Sequence, residues 1–166
     1  MSVKKYDTDQ VNPDQYKGAD FYDHYNIFAS DKFISTGKSG IFELHIVIFQ
    51  KKGSRRRNLY ELGFGKWNPD TKEIDDLFET KNGDVGEILA TVAVKALEFL
   101  QNHPSAAIYA VGSTETRTRL YQRQIAKNLD IIPGSLRIQG VSVKNNLGWS
   151  DFEKGINYDE FLLTAK

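Results

Sequence analysis

The chain has 166 residues, with 22 Lys+Arg balanced by 22 Asp+Glu and no cysteine. That length suits one domain whose core buries more than half of the unfolded surface. Zero formal charge argues against a nucleic-acid coat or a polybasic membrane binder, and the missing thiols exclude disulfides, Cys-ligated zinc, iron–sulfur clusters and a thiol nucleophile.

The N-terminal stretch is polar and lacks the apolar centre of a signal peptide, and no apolar run approaches the roughly 20 residues of a membrane span. A cytosolic protein without a membrane partner is expected. Residues 1–19 carry little apolar content and read as a flexible arm, disordered or laid over the surface, leaving a single α+β domain over residues 20–166.

An aromatic-rich run begins at Phe21, and Phe21–Phe28 with Lys32–Ser35 fit a hairpin turning at Ala29-Ser30-Asp31. Thr36–Gly40 is a second turn cluster. Ile41–Gln50 is the strongest strand signal, rich in β-branched and aromatic residues, with alternation that passes into an apolar run. Lys51–Arg57 turns the chain into Asn58–Trp67, where Leu59, Glu61 and Gly63 share one face and Tyr60, Leu62, Phe64 and Lys66 the other. A short strand over Glu73–Glu79 completes an antiparallel meander.

Asp84 to Gln101 predicts a helix, with Asp84 and Glu87 as a capping-box-like start and Val85, Ile88, Leu89, Val92, Ala96, Phe99 and Leu100 as its apolar stripe. Ala106–Val111 is a short apolar strand suited to a sheet interior. Glu115–Leu129 predicts a second helix, with Ser113 or Thr114 as N-cap. Leu136–Val143 alternates as a half-exposed strand, and Asn157–Thr164 is the last one. The fold class is α+β, a meander sheet followed by helix, strand, helix, strand.

Chemistry concentrates at the two helix starts. At about 100° per residue, Arg117 falls on the inward face of the second helix beside Tyr121, whereas Arg119, Arg123 and Lys127 form a solvated basic stripe. An inward arginine needs a partner, and Asp84 or Glu87 is expected to supply it. Arg117 is then either a clamp between helix starts or the lining of a pocket for an anionic ligand. Gly112-Ser113-Thr114 suits the second role, because glycine admits close backbone approach and the helix start offers free N–H groups. The same residues also make an ordinary cap. Lys51–Arg57 reads as a solvated turn or a phosphate contact. His24, His45 and His103 are scattered without metal spacing, and no catalytic set can be assembled, so a cofactor and an enzymatic role stay open.

The motifs NGDVGEILATV, GSTETRTRLYQR and NLYELGFG resemble a family of small bacterial domains of unknown function. The resemblance implies that Asn82, Gly83, Asp84, Gly112, Ser113, Thr114, Arg117, Arg119, Tyr121 and Arg123 act together. The element order is also similar to that of GCN5-related N-acetyltransferases, in which a glycine-rich loop at a helix start binds the acyl-CoA pyrophosphate and a later helix carries an LY segment. Here Lys81–Gly86 occupies the loop position and Leu120-Tyr121 the later one, but Asp84 sets a negative charge where pyrophosphate would lie. Three functions follow as expectations: a binding or interaction module for an anionic small molecule or a protein partner, an acyl-CoA-dependent N-acyltransferase, or a nucleic-acid binder using Arg55–Arg57 and the helix stripe.

Overall fold

The computed structural model describes residues 4–112, 114–127, 129–130 and 132–166. Among them nine strands form one open sheet, with β1 (Asp9–Gln10), β2 (Tyr25–Gly37), β3 (Gly40–Lys51), β4 (Leu59–Asn68), β5 (Glu73–Asp75), β6 (Ala107–Ala110), β7 (Leu136–Ser142), β8 (Leu147–Asp151) and β9 (Glu160–Ala165). Three helices accompany them: α1 (Asp20–His24), α2 (Val85–Asn102) and α3 (Glu115–Lys127). The sheet order is β1-β2-β3-β4-β6-β9-β7-β8, with β5 paired to β4. β2 to β5 are the antiparallel meander, whereas β4 and β6, joined through α2, run parallel, giving a mixed α/β fold. No described helix is long and apolar enough to cross a membrane.

The hairpin expected at Ala29-Ser30-Asp31 does not form. β2 runs unbroken through those residues, Asp20–His24 is helical, and the chain turns at residues 38–39, inside the second turn cluster. Tertiary partners make polar residues acceptable in the strand. The Tyr16 hydroxyl lies 2.7 Å from Ser30 Oγ, and the Lys95 ammonium lies 3.3 Å from the Asp31 carboxylate. β5 is shorter than its expected span, β9 starts at Glu160 rather than Asn157, and β8 pairs with β7 beyond the strands that were expected.

Strand alternation divides the sheet. Leu44, Ile46, Ile48, Tyr60, Leu62 and Phe64 face α2, whose stripe of Ile88, Val92, Ala96, Leu97 and Leu100 closes over them. Val47, Phe49 and Trp67 point to the opposite face. There the N-terminal segment expected as a flexible arm supplies Val11 and a wholly buried Tyr16. From Lys4 onward this segment is laid against the sheet. Val11 donates its N–H to the Ser30 carbonyl at 2.9 Å, β1 pairs with β2, and Tyr6 stacks on Phe33 on the α2 side. The segment thus wraps the free edge of β2 from one face to the other and blunts that edge.

Candidate functional site

Asn82 and Asp84 meet at Ser35 before α2, and among the described residues no hydrogen bond or ion pair joins them to Arg117 or Arg119 of α3. Asn82 donates through Nδ2 to Ser35 Oγ and the Gly40 carbonyl, and accepts through Oδ1 from the Ser39 N–H. Gly83 sits at φ 72°, the left-handed region that favours glycine. Asp84 caps nothing in its own helix, which overturns the capping-box expectation. Its carboxylate instead accepts from Ser35, Thr80 and Tyr6 hydroxyls at 2.5, 2.6 and 2.5 Å. Burial works to raise this carboxyl, but those three donors outweigh it and hold it below the ordinary value.

With Asp84 so occupied, the Arg117 clamp to Asp84 or Glu87 does not exist. Arg117 donates instead to the Leu77 carbonyl, on the connection between β5 and α2. Arg119 also leaves the solvated stripe: its guanidinium donates to the Tyr158 carbonyl at 2.6 Å and to Gln122 Oε1 at 3.0 Å. Arg123 and Lys127 are exposed as expected. Gly112 is needed by the fold, since a Cβ there would come within 2.7 Å of the Arg117 Cβ and nearer still to the Thr118 backbone. Thr114 Oγ1 accepts from the Arg117 N–H at 3.2 Å, while Ser113 lies outside the described residues.

Among the described side chains of this set, Tyr121 alone lines a cavity. Its ring packs 5.6 Å from that of Phe64, which puts α3 on the same face of the sheet as α2. Between the two helices lies a cleft of about 530 Å³, walled by Leu62 and Phe64 of β4, Leu89 and Ala93 of α2, Ile125 of α3 and Ile138 of β7. Burial raises the Tyr121 hydroxyl above its ordinary value, Arg117 opposing and Asp76 adding, so it stays protonated and able to donate.

The cleft has its origin in strand pairing. β6 accompanies β4 only along Leu59–Glu61, and β5 takes the same edge only from Lys66. Among the described residues no strand pairs with Leu62–Gly65 on that edge. The Asn58 carbonyl points toward β6, where it accepts the Ala107 N–H at 2.8 Å. Backbone alternation then turns the Leu62 carbonyl and both Phe64 backbone groups into the gap. A ligand lying there would meet an apolar trough with backbone donors and acceptors along one side. The gap lies beyond the carboxyl end of β6 and beside the middle of β4, which runs on to Asn68.

Behind the last paired residues, Glu61 and Tyr109, a polar group occupies the opposite sheet face. The Tyr109 hydroxyl is pushed up to about 12, by burial first and then by its hydrogen bond to Glu160 and the nearby charges of Glu160 and Glu61. Among the described residues no group of His, Cys, Asp or Glu is arranged to hold a metal ion.

Apart from Tyr121, the cleft residues are not among those the sequence singles out, which were chosen by charge and helix position. The available signal was Gly63 and Gly65 inside a strand, a pattern that marks a bulge or a close backbone approach. Residues 16–166 match the model of a family described as a family of unknown function (DUF6934). No curated protein and no solved structure matches the chain.

Proposed function

For this chain, which belongs to the DUF6934 family of unknown function, we propose a small-molecule-binding role in which the ligand occupies the cleft beside the unpaired stretch of β4. The observation that carries this reading is the interruption of pairing between Glu61 and Lys66, opening onto an apolar cavity of about 530 Å³. Cavities of this size, mostly apolar with a few convergent polar groups, are where proteins bury small ligands. Of the helix-start residues, Tyr121 stays with the proposed site as a donor in its wall. Asn82, Asp84, Gly112, Arg117 and Arg119 act at a distance by fixing the elements that frame it.

Two observations favour the narrower acyl-CoA-dependent N-acyltransferase reading. The meander followed by helix, strand, helix, strand is the element order of the GCN5-related enzymes. The free backbone of Leu62 and Phe64 also suits an extended arm bearing amides, with an acyl end among Leu89, Ala93 and Ile138. The charge objection weakens because Asp84 is 5% exposed and spent on three hydroxyls. Glu160 and Glu61 around Tyr109 would receive an amine from the far face of the sheet. A nucleic-acid role loses support because Arg119 is taken up by Tyr158 and Gln122.

The test is a thermal-shift series with acetyl-CoA, octanoyl-CoA and free CoA on the wild type and on Ala93→Trp, which fills the cleft. A ligand that raises the melting temperature of the wild type and not of the variant supports the reading. Equal shifts in both proteins place binding elsewhere and overturn it.

A further inference from the structure

Resting on the cleft as the binding site, we propose that its ligand is an amphipathic anion and that Lys5, on the N-terminal segment, is the residue that selects for the negative group. Among the described residues lining the cleft, Lys5 is the one cation. It is not held there by chance packing. The neighbouring Tyr6 is pinned three ways: its N–H donates to Thr91 Oγ1 at 2.8 Å, its hydroxyl donates to Asp84 at 2.5 Å, and its ring stacks on Phe33 with centroids 5.4 Å apart. These contacts fix the backbone of Lys5 beside the first turns of α2, where Gly86 and Leu89 form the adjoining wall.

The Lys5 ammonium has no acidic partner among the described residues. Asp84, which the segment reaches through Tyr6, already accepts three hydroxyls. The two acids on the cleft wall, Asp76 and Asp130, belong to other connections, and the influence of Asp76 on Tyr121 is opposed by Arg117. An unpaired ammonium at the rim of an apolar trough matches a ligand with a hydrocarbon body and a carboxylate or phosphate end. The lysine stem lies along the apolar wall while its head stays hydrated until an anion arrives.

The experiment compares octanoate with octan-1-ol, ligands of one chain length that differ in the head group, by titration of the ¹H–¹⁵N spectrum of the full chain. In wild type, octanoate binds about threefold to fivefold tighter than octan-1-ol, the upper part of what one partly exposed charge pair supplies. Lys5→Met keeps the stem, so it brings octanoate down to the alcohol and leaves the alcohol unchanged. Lys5→Glu weakens octanoate further. An octanoate affinity that stays within twofold of wild type in both variants overturns the role of Lys5 while leaving the cleft intact. If neither ligand perturbs the cleft amides, the cleft reading fails and takes this assignment with it.

Discussion

The Tyr6 hydroxyl donates to the Asp84 carboxylate at 2.5 Å across 78 residues of sequence. This bond ties the N-terminal segment to the residue that opens α2, and it draws Ser35 of β2 and Thr80 into one buried cluster. Nothing in the cluster is cationic. A carboxylate with three hydroxyl donors can stay ionised without a basic partner, which is why Arg117 is free to bond the Leu77 carbonyl.

Asp84→Asn is expected to destabilise the fold by about 2 kcal/mol, because the amide cannot accept from three hydroxyls as the carboxylate does. The pH dependence follows from the lowered folded value. The contribution of Asp84 is present above the unfolded value of about 3.9 and is lost as pH falls through the folded one. Urea titrations between pH 6 and pH 3 check this: the variant should lose less stability across that range than wild type.

His45 gives a second pH effect at higher pH. It is fully buried, stacked on Trp67, with Nε2 2.8 Å from Glu43 and Nδ1 2.7 Å from the Tyr16 hydroxyl. The carboxylate can only accept, so Nε2 carries the proton and Nδ1 accepts from Tyr16. Burial, only partly offset by Glu43, pulls the imidazole below its ordinary value. Between the folded value and the unfolded one of about 6.5, the unfolded chain binds a proton that the folded chain refuses. This stability is present above about pH 6.5 and declines as pH falls through the folded value. His45→Gln should be less stable at pH 8 and should show a flatter stability profile down to pH 5.5.

Gly112→Ala separates a folding role from a ligand role. The added methyl would collide with the first turn of α3, so a loss of about 2 kcal/mol or more is expected from overpacking. Chemical denaturation without ligand measures it. An unchanged midpoint would return Gly112 to the role of a ligand-approach glycine.

Arg55→Ala combined with Arg56→Ala should change stability by less than about 0.5 kcal/mol, because both side chains are exposed on the β3–β4 connection. The midpoint of urea unfolding decides it.

Local pattern made much of the fold legible. The apolar run of β3, the stripe of α2 and the alternation of β7 each report a buried face directly. What stayed hidden depends on partners distant in sequence. Tyr6, Val11 and Tyr16 are single apolar residues in a polar stretch, and their burial follows from sockets offered by Phe33, Ser30 and Trp67. Ser30 and Asp31 looked like a turn because their partners, Tyr16 and Lys95, are not neighbours in the chain. The helix-start motifs were visible as composition, but ruling out an Arg117–Asp84 pair required knowing that three hydroxyls reach Asp84 first. The cleft arises from the place where β6 stops and β5 begins, and no single segment encodes it.

The most direct test of the cleft is the hydrogen exchange of the Phe64 amide, with and without octanoyl-CoA. Pairing in β4 predicts that this amide exchanges quickly in the free protein, because no strand lies beside it, while the Tyr60 amide is protected next to β6. Binding in the cleft should slow Phe64 and leave Tyr60 as it was. A Phe64 amide already protected in the free protein, or one that octanoyl-CoA leaves unprotected, would contradict the account.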